Sequence, residues 1–226
     1  QYYTPLDPTR DRSLLISFGT GTVGQLSGVT QIVQHFQNQV QYWEPQNEPN
    51  GAYPNGTDFV PVMRDFYNTV KAVNPNLKVI GPGMVTIGPM GLNFLKGFLA
   101  AGGGQYIDAL SFHAYNNVNH DMLLARESFT ALKALLNQYG LGNIPLWQTE
   151  QGYMTAVYGA YEPQNEGNWT MLQEMVFEQE GLPKERDVLW YDKNIGFAGF
   201  PAFWENYDGG VNPAVPLMRV WSAELF

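Results

Sequence analysis

Short apolar runs alternate with amphipathic helical runs along the chain, and this alternation restricts the fold more than any other feature of the sequence. Residues 13–18 (SLLISF) read as a strand, followed by a helix that Ser27 caps and that runs to about Asn38. Residues 40–44 (VQYWE) form the next strand. Thr57 caps a helix in which Phe59, Val62, Met63, Phe66, Tyr67, Val70 and Val73 fall on one face at the helical period, and Asn74-Pro75 stops it. The strand at 78–81 leads to a helix over 90–100. The strand at 107–113 leads to a helix with Phe129, Leu132, Leu135, Leu136 and Tyr139 on its inner face, closed by Gly140. Strands at 144–150 and 196–204 bring the number to six. A helical stretch over 168–193, broken at Gly181-Leu182-Pro183, lies between these two, and a short helix over 217–225 ends the chain.

Repeated βα units with nearly continuous apolar strands predict a parallel sheet covered by helices. Polar, Gly- and Pro-rich segments follow the strands at 45–57, 81–88, 116–121 and 151–165. In a (β/α) barrel that end of the strands is the functional face. A doubly wound sheet would give the same alternation. The glycines of Gly19-Thr20-Gly21-Thr22-Val23-Gly24 precede a weakly placed helix, and they read as a flexible loop rather than a phosphate cradle.

The candidate chemistry sits at two of these strand ends. The segment 42–50 (YWEPQNEPN) places Asn47-Glu48-Pro49 just beyond a strand, and Pro49 ends regular pairing there. The segment 145–153 (PLWQTEQGY) places Glu150 at the end of another. Two carboxylates from different strand ends suit glycosidic cleavage: one protonates the leaving oxygen and the other attacks the anomeric carbon as an anion.

With Ser111-Phe112-His113-Ala114-Tyr115 between the two carboxylates, the chain resembles the retaining glycoside hydrolases of clan A. The wording Asn-Glu-Pro-Asn, Lys-Val-Ile-Gly-Pro and Ser-Phe-His-Ala-Tyr is most similar to family thirty-nine and its neighbours. The resemblance implies a TIM-type (β/α) barrel that cleaves β-glycosidic bonds with retention, through a covalent glycosyl-enzyme. It implies Glu48 as general acid/base and Glu150 as nucleophile. Asn47 would contact the hydroxyl next to the anomeric carbon, His113 would line the cleft, Tyr115 would bind there with its hydroxyl positioning the nucleophile, and Trp204 would be a sugar platform. Glu44 and Glu205 read as groups behind the site or on the surface. Six strands against eight, with one strand before Glu48 where the family has three, predict a single barrel domain over residues 1–226 that lacks the first two βα units. That deficit of roughly 70 residues at typical barrel spacing predicts self-association or a missing N-terminal segment.

Composition narrows the partners. Twelve Lys and Arg against 21 Asp and Glu leave a net charge of −9, and no basic run exists. This argues against nucleic acid or an anionic membrane, which need clustered cations. Aromatic residues reach 14%, with six Trp and thirteen Tyr, in keeping with an oligosaccharide or polysaccharide substrate whose rings stack on them. Cysteine is absent, which removes disulfides, thiolate metal sites and a Cys nucleophile. His35 and His120 lack partners at metal-ligand spacing, so no metal or other cofactor is expected. The sequons at Asn55 and Asn168 matter only in a eukaryotic secretory host, and the localisation reading favours a secreted or periplasmic protein. Two other functions fit the pattern less well. One is a carbohydrate-binding barrel with impaired catalysis. The other is a metal-dependent carboxylate enzyme, which would need a cluster of acidic ligands and a catalytic Lys at a strand end.

Overall fold

A computed structural model of the chain describes residues 15–17, 26–114, 122–150, 172–173 and 175–182. Five strands lie in one sheet in chain order: β1 (Leu15–Ser17), β2 (Tyr42–Glu44), β3 (Lys78–Met84), β4 (Ala109–His113) and β5 (Leu146–Glu150). β1 pairs with β2 and β2 with β3 in parallel, with Ile16 opposite Trp43 and Trp43 opposite Val79. Helices α1 (Leu26–Phe36), α2 (Val60–Val73), α3 (Pro89–Ala100) and α4 (Met122–Gln138) fill the connections. This is the α/β architecture of a TIM-type (β/α) barrel, built from the expected alternation. The expected sixth strand, at 196–204, and the helix over 217–225 lie outside the described residues.

The chain separates into two compact units. The first comprises residues 1–84, 93–111 and 143–146. It holds β1 to β3, the starts of β4 and β5, and helices α1 and α2. In α2, Met63, Phe66 and Val70 are fully buried, each contributing about 1.5–3 kcal/mol of hydrophobic stabilisation. Val62, Tyr67 and Val73 flank this stripe and are half-buried. Phe59 packs against Phe94 and Phe98, whose rings are stacked at 6.4 Å. Gly97 permits the close approach of the preceding loop, since a side chain there would run into the Asn55 carbonyl.

Asp108 ties the N-terminal end of β3 in place. Its backbone N–H donates to the Val79 carbonyl at 2.7 Å, and its carboxylate accepts the Val79 N–H at 2.8 Å. Lys71 reaches the same carboxylate at 2.8 Å and donates to the Leu77 carbonyl. The Tyr67 phenol is raised above its ordinary pKa by burial and then by the nearby Asp108 charge.

The second unit comprises residues 85–92, 112–142 and 147–226. Phe129 of α4 stacks on Phe177 at 5.0 Å, and Phe112 meets both rings. Residues 172–173 and 175–179 are helical. Glu180, just after them, pairs with Arg126 at 3.3 Å and Lys133 at 3.0 Å.

Several local expectations are corrected. Ser27 is the second residue of α1 rather than its cap. Thr57 opens a 3₁₀ turn, Thr57–Phe59, and its hydroxyl donates to the Gly97 carbonyl instead of capping α2. β3 continues three residues beyond Gly81, through Pro82 and Gly83. Tyr139 lies past the end of α4 and is exposed, because the chain has already turned toward Gly140. Among the described residues, no helix is long and apolar enough to cross a membrane.

Candidate active site

Glu48 lies four residues beyond the end of β2, in the first unit. Its backbone adopts φ 46° and ψ 55°, the left-handed conformation, and it alone among the described non-glycine residues has a positive φ. Such a conformation costs about 1–3 kcal/mol and persists only where neighbours enforce it. Here the enforcement is visible on both sides. The Glu48 N–H donates to the Gly83 carbonyl at 3.1 Å, and the Glu48 carbonyl accepts the Gly51 N–H at 3.2 Å. Pro49 then opens the 3₁₀ turn Pro49–Gly51. Pro49 is therefore the start of a new turn as well as the end of pairing. Asn47 precedes Glu48 and is half-buried.

Behind Glu48, Glu44 ends β2 and is 2% exposed. Its side chain points at Gly83. A Cβ on Gly83 would stand 3.0 Å from the Glu44 Oε1 atom and 3.3 Å from its carboxyl carbon, and Gly83 has φ 62°. Glycine is the residue that meets both demands without strain.

In the second unit, His113 is the last residue of β4 and Glu150 the last of β5. His113 is 1% exposed and Glu150 6%. His113 Nδ1 lies 2.8 Å from Glu150 Oε2. An ionised carboxylate only accepts, so Nδ1 carries the proton of this hydrogen bond. The bond orients one carboxylate oxygen and leaves the other for a different partner. Pairing is dictated by strand position, since adjacent strands that each end in a polar side chain present those side chains together.

Of the expected site residues, Asn47, Glu48, His113 and Glu150 stand at or just beyond strand C-termini, as the motifs imply. Tyr115 and Trp204 lie outside the described residues, as do His120 and Glu205. His35 is exposed on α1, edge-on to Phe36 at 4.5 Å. Glu48, His113 and Glu150 are of the ligand types that could hold a divalent metal. Of the two places read for Glu44, behind the site or on the surface, its burial fits the first, and sequence reasoning passed over Gly83.

Residues 19–184, well over half of the chain, match the family described as glycosyl hydrolase catalytic core. The fold is similar to that of a family 39 glycoside hydrolase from the gut symbiont Bacteroides cellulosilyticus WH2, at 22% identity and a TM-score of 0.63, covering 85% of this chain and 42% of that one. A family 39 β-xylosidase from Caulobacter crescentus is similar at 16% identity and a TM-score of 0.62, covering 91% and 48%. A glucosidase from Croceicoccus marinus is similar at 18% identity and a TM-score of 0.56, covering 84% and 41%. The chain thus spans less than half the length of each of these three proteins. No curated protein matches it. The resemblance to clan A hydrolases of the family 39 type, read from the motifs, agrees with these matches. The chain belongs to the glycosyl hydrolase catalytic-core family.

Proposed function

We propose that the protein hydrolyses β-glycosidic bonds with retention, using Glu150 as nucleophile and Glu48 as general acid and then base. The observation that carries this reading is the 2.8 Å contact between His113 Nδ1 and Glu150 Oε2 at the ends of adjacent strands. A nucleophilic carboxylate must keep one oxygen aimed at the anomeric carbon, and a buried imidazole donating to the other oxygen does that. In a parallel (β/α) sheet the C-terminal strand ends share one face, which is where Glu48 would meet the same substrate. Its enforced left-handed backbone supports a role, since such strain gathers at functional positions.

The steps follow from these roles. Glu150 attacks the anomeric carbon while Glu48 gives its proton to the departing oxygen, leaving a glycosyl ester on Glu150. Glu48, now ionised, takes a proton from water, and the water oxygen displaces Glu150 from the anomeric carbon. Asn47, and with it Tyr115 and Trp204, would hold the sugar. The names of two structural neighbours, a β-xylosidase and a glucosidase, support β-xylosides and β-glucosides as the substrates to try. A secreted or periplasmic location and the breakdown of oligosaccharides or polysaccharides belong to the same reading.

The test is the configuration of the sugar first released from an aryl β-xyloside or β-glucoside, followed by proton NMR. The β-anomer is expected, and the α-anomer would overturn retention. In an experimental structure the Glu48 and Glu150 carboxyl groups should stand about 5–5.5 Å apart, whereas about 9 Å would mean inversion. A metal-assisted reaction draws on the same side chains, Glu48, His113 and Glu150. Prolonged dialysis against a chelator should leave hydrolysis unchanged. A loss reversed by a divalent ion would favour the metal reading.

A further inference from the structure

Glu44 is a buried carboxylate that the proposed reaction does not use. It ends β2 at 2% exposure, and its carboxyl group lies against Gly83 of the neighbouring strand β3. Gly83 is the residue whose carbonyl accepts the Glu48 N–H at 3.1 Å. The Glu44 carboxyl group thus occupies the space a Gly83 side chain would take, 3.0 Å from where its Cβ would stand, while the Gly83 carbonyl holds the Glu48 backbone. The Gln46 carbonyl oxygen faces the same point, 3.4 Å from where a Cβ on Gly83 would stand. β2 and β3 run parallel with Trp43 opposite Val79, so β3 continues past the end of β2 and Gly83 lies alongside the segment that leads to Glu48.

We propose that Glu44 is a positioning residue for Glu48. Its carboxyl group wedges the Gly83 peptide so that the Gly83 carbonyl captures the Glu48 N–H and keeps Glu48 at φ 46°. Because a left-handed residue relaxes once released, loss of the wedge turns the Glu48 carboxyl away from the departing oxygen. The assignment rests on the reading of Glu48 as general acid/base, and it makes proton delivery depend on a residue that touches no substrate.

The experiment measures kcat/KM of the full chain on 2,4-dinitrophenyl and phenyl β-xylosides and β-glucosides. The dinitrophenolate leaves without a proton, while the phenolate needs one. Glu44→Ala should lower kcat/KM on the phenyl glycosides at least about tenfold more than on the dinitrophenyl ones, as a fraction of the ~10²–10⁴-fold that general acid catalysis supplies. Glu44→Gln, of the same length, should recover most of that loss. Gly83→Ala presses on the same contact from the other side and should show the same selectivity, which keeps the test alive if Glu44→Ala does not fold. Equal losses on both leaving groups, or no loss, would overturn the assignment, because a merely weakened fold lowers every substrate alike. Glu48→Gln run alongside separates the two readings. If it shows the selectivity and the Glu44 and Gly83 variants do not, only the Glu44 assignment falls. If Glu48→Gln itself lacks the selectivity, the acid/base reading has failed and the positioning role falls with it.

Discussion

Glu48 and Glu150 are both glutamates near strand ends. The Glu48 backbone meets the Gly83 carbonyl and the Gly51 N–H, and the Glu150 side chain meets His113. In the proposed reaction Glu48 gains and loses a proton while Glu150 stays aimed at the anomeric carbon. Glu48→Ala should therefore harm substrates with poor leaving groups most, and added azide should speed turnover of activated ones. Equal losses on every leaving group would contradict the assignment. His113→Ala should lower kcat about 100-fold, the scale of an ångström-level misplacement of a reacting group, with melting temperature checked to exclude unfolding. A kcat unchanged by that substitution would remove the aiming role from His113.

The glutamates themselves were legible because Asn-Glu-Pro after one strand and Thr-Glu at the end of another are written in the order of residues. The left-handed backbone of Glu48 was not, since half of its enforcement comes from Gly83, on β3, and glutamate has no local propensity for it.

At the scale of elements, the sequence located α2 and α3 to within a few residues and the C-terminal part of α4, whose first seven residues went unread. Boundaries failed where a tertiary contact outbid a local signal. Thr57 has the right side chain for a cap, but its hydroxyl turns to the Gly97 carbonyl, and a 3₁₀ turn precedes α2. β3 outran its expected end because Pro82 and Gly83 read as a turn in isolation, although here they continue the strand beyond the end of β2. The anchoring of β3 by Asp108 likewise needed the fold, since Lys71 comes from α2, Val79 from β3 and Asp108 from the loop just before β4. Two stability predictions follow from these contacts. Phe66→Ala empties a fully buried site on α2 and should cost about 3–5 kcal/mol in denaturant unfolding. Asp108→Ala leaves Lys71 and the Val79 N–H without their carboxylate and should cost about 1.5–3 kcal/mol. Losses below ~0.5 kcal/mol in either variant would mean that these contacts do not carry the unit.

For the molecule as a whole, the alternation of strands and helices sufficed to indicate a parallel (β/α) architecture, and the ordered motifs separated a glycosidase from a doubly wound nucleotide binder. The match of residues 19–184 to the glycosyl hydrolase catalytic core places the chain in that family. The net charge of −9 and the absence of basic runs argue against a polyanionic partner. The central claim is a covalent intermediate on Glu150, and trapping tests it most directly. The protein would be incubated with 2-deoxy-2-fluoro β-xyloside and β-glucoside bearing a dinitrophenyl leaving group, then digested and mapped by mass spectrometry. The account predicts one fluorosugar per chain, esterified to Glu150 and absent in Glu150→Gln. A label on another carboxylate, or hydrolysis of the parent glycosides by a protein that these reagents never label, would contradict it.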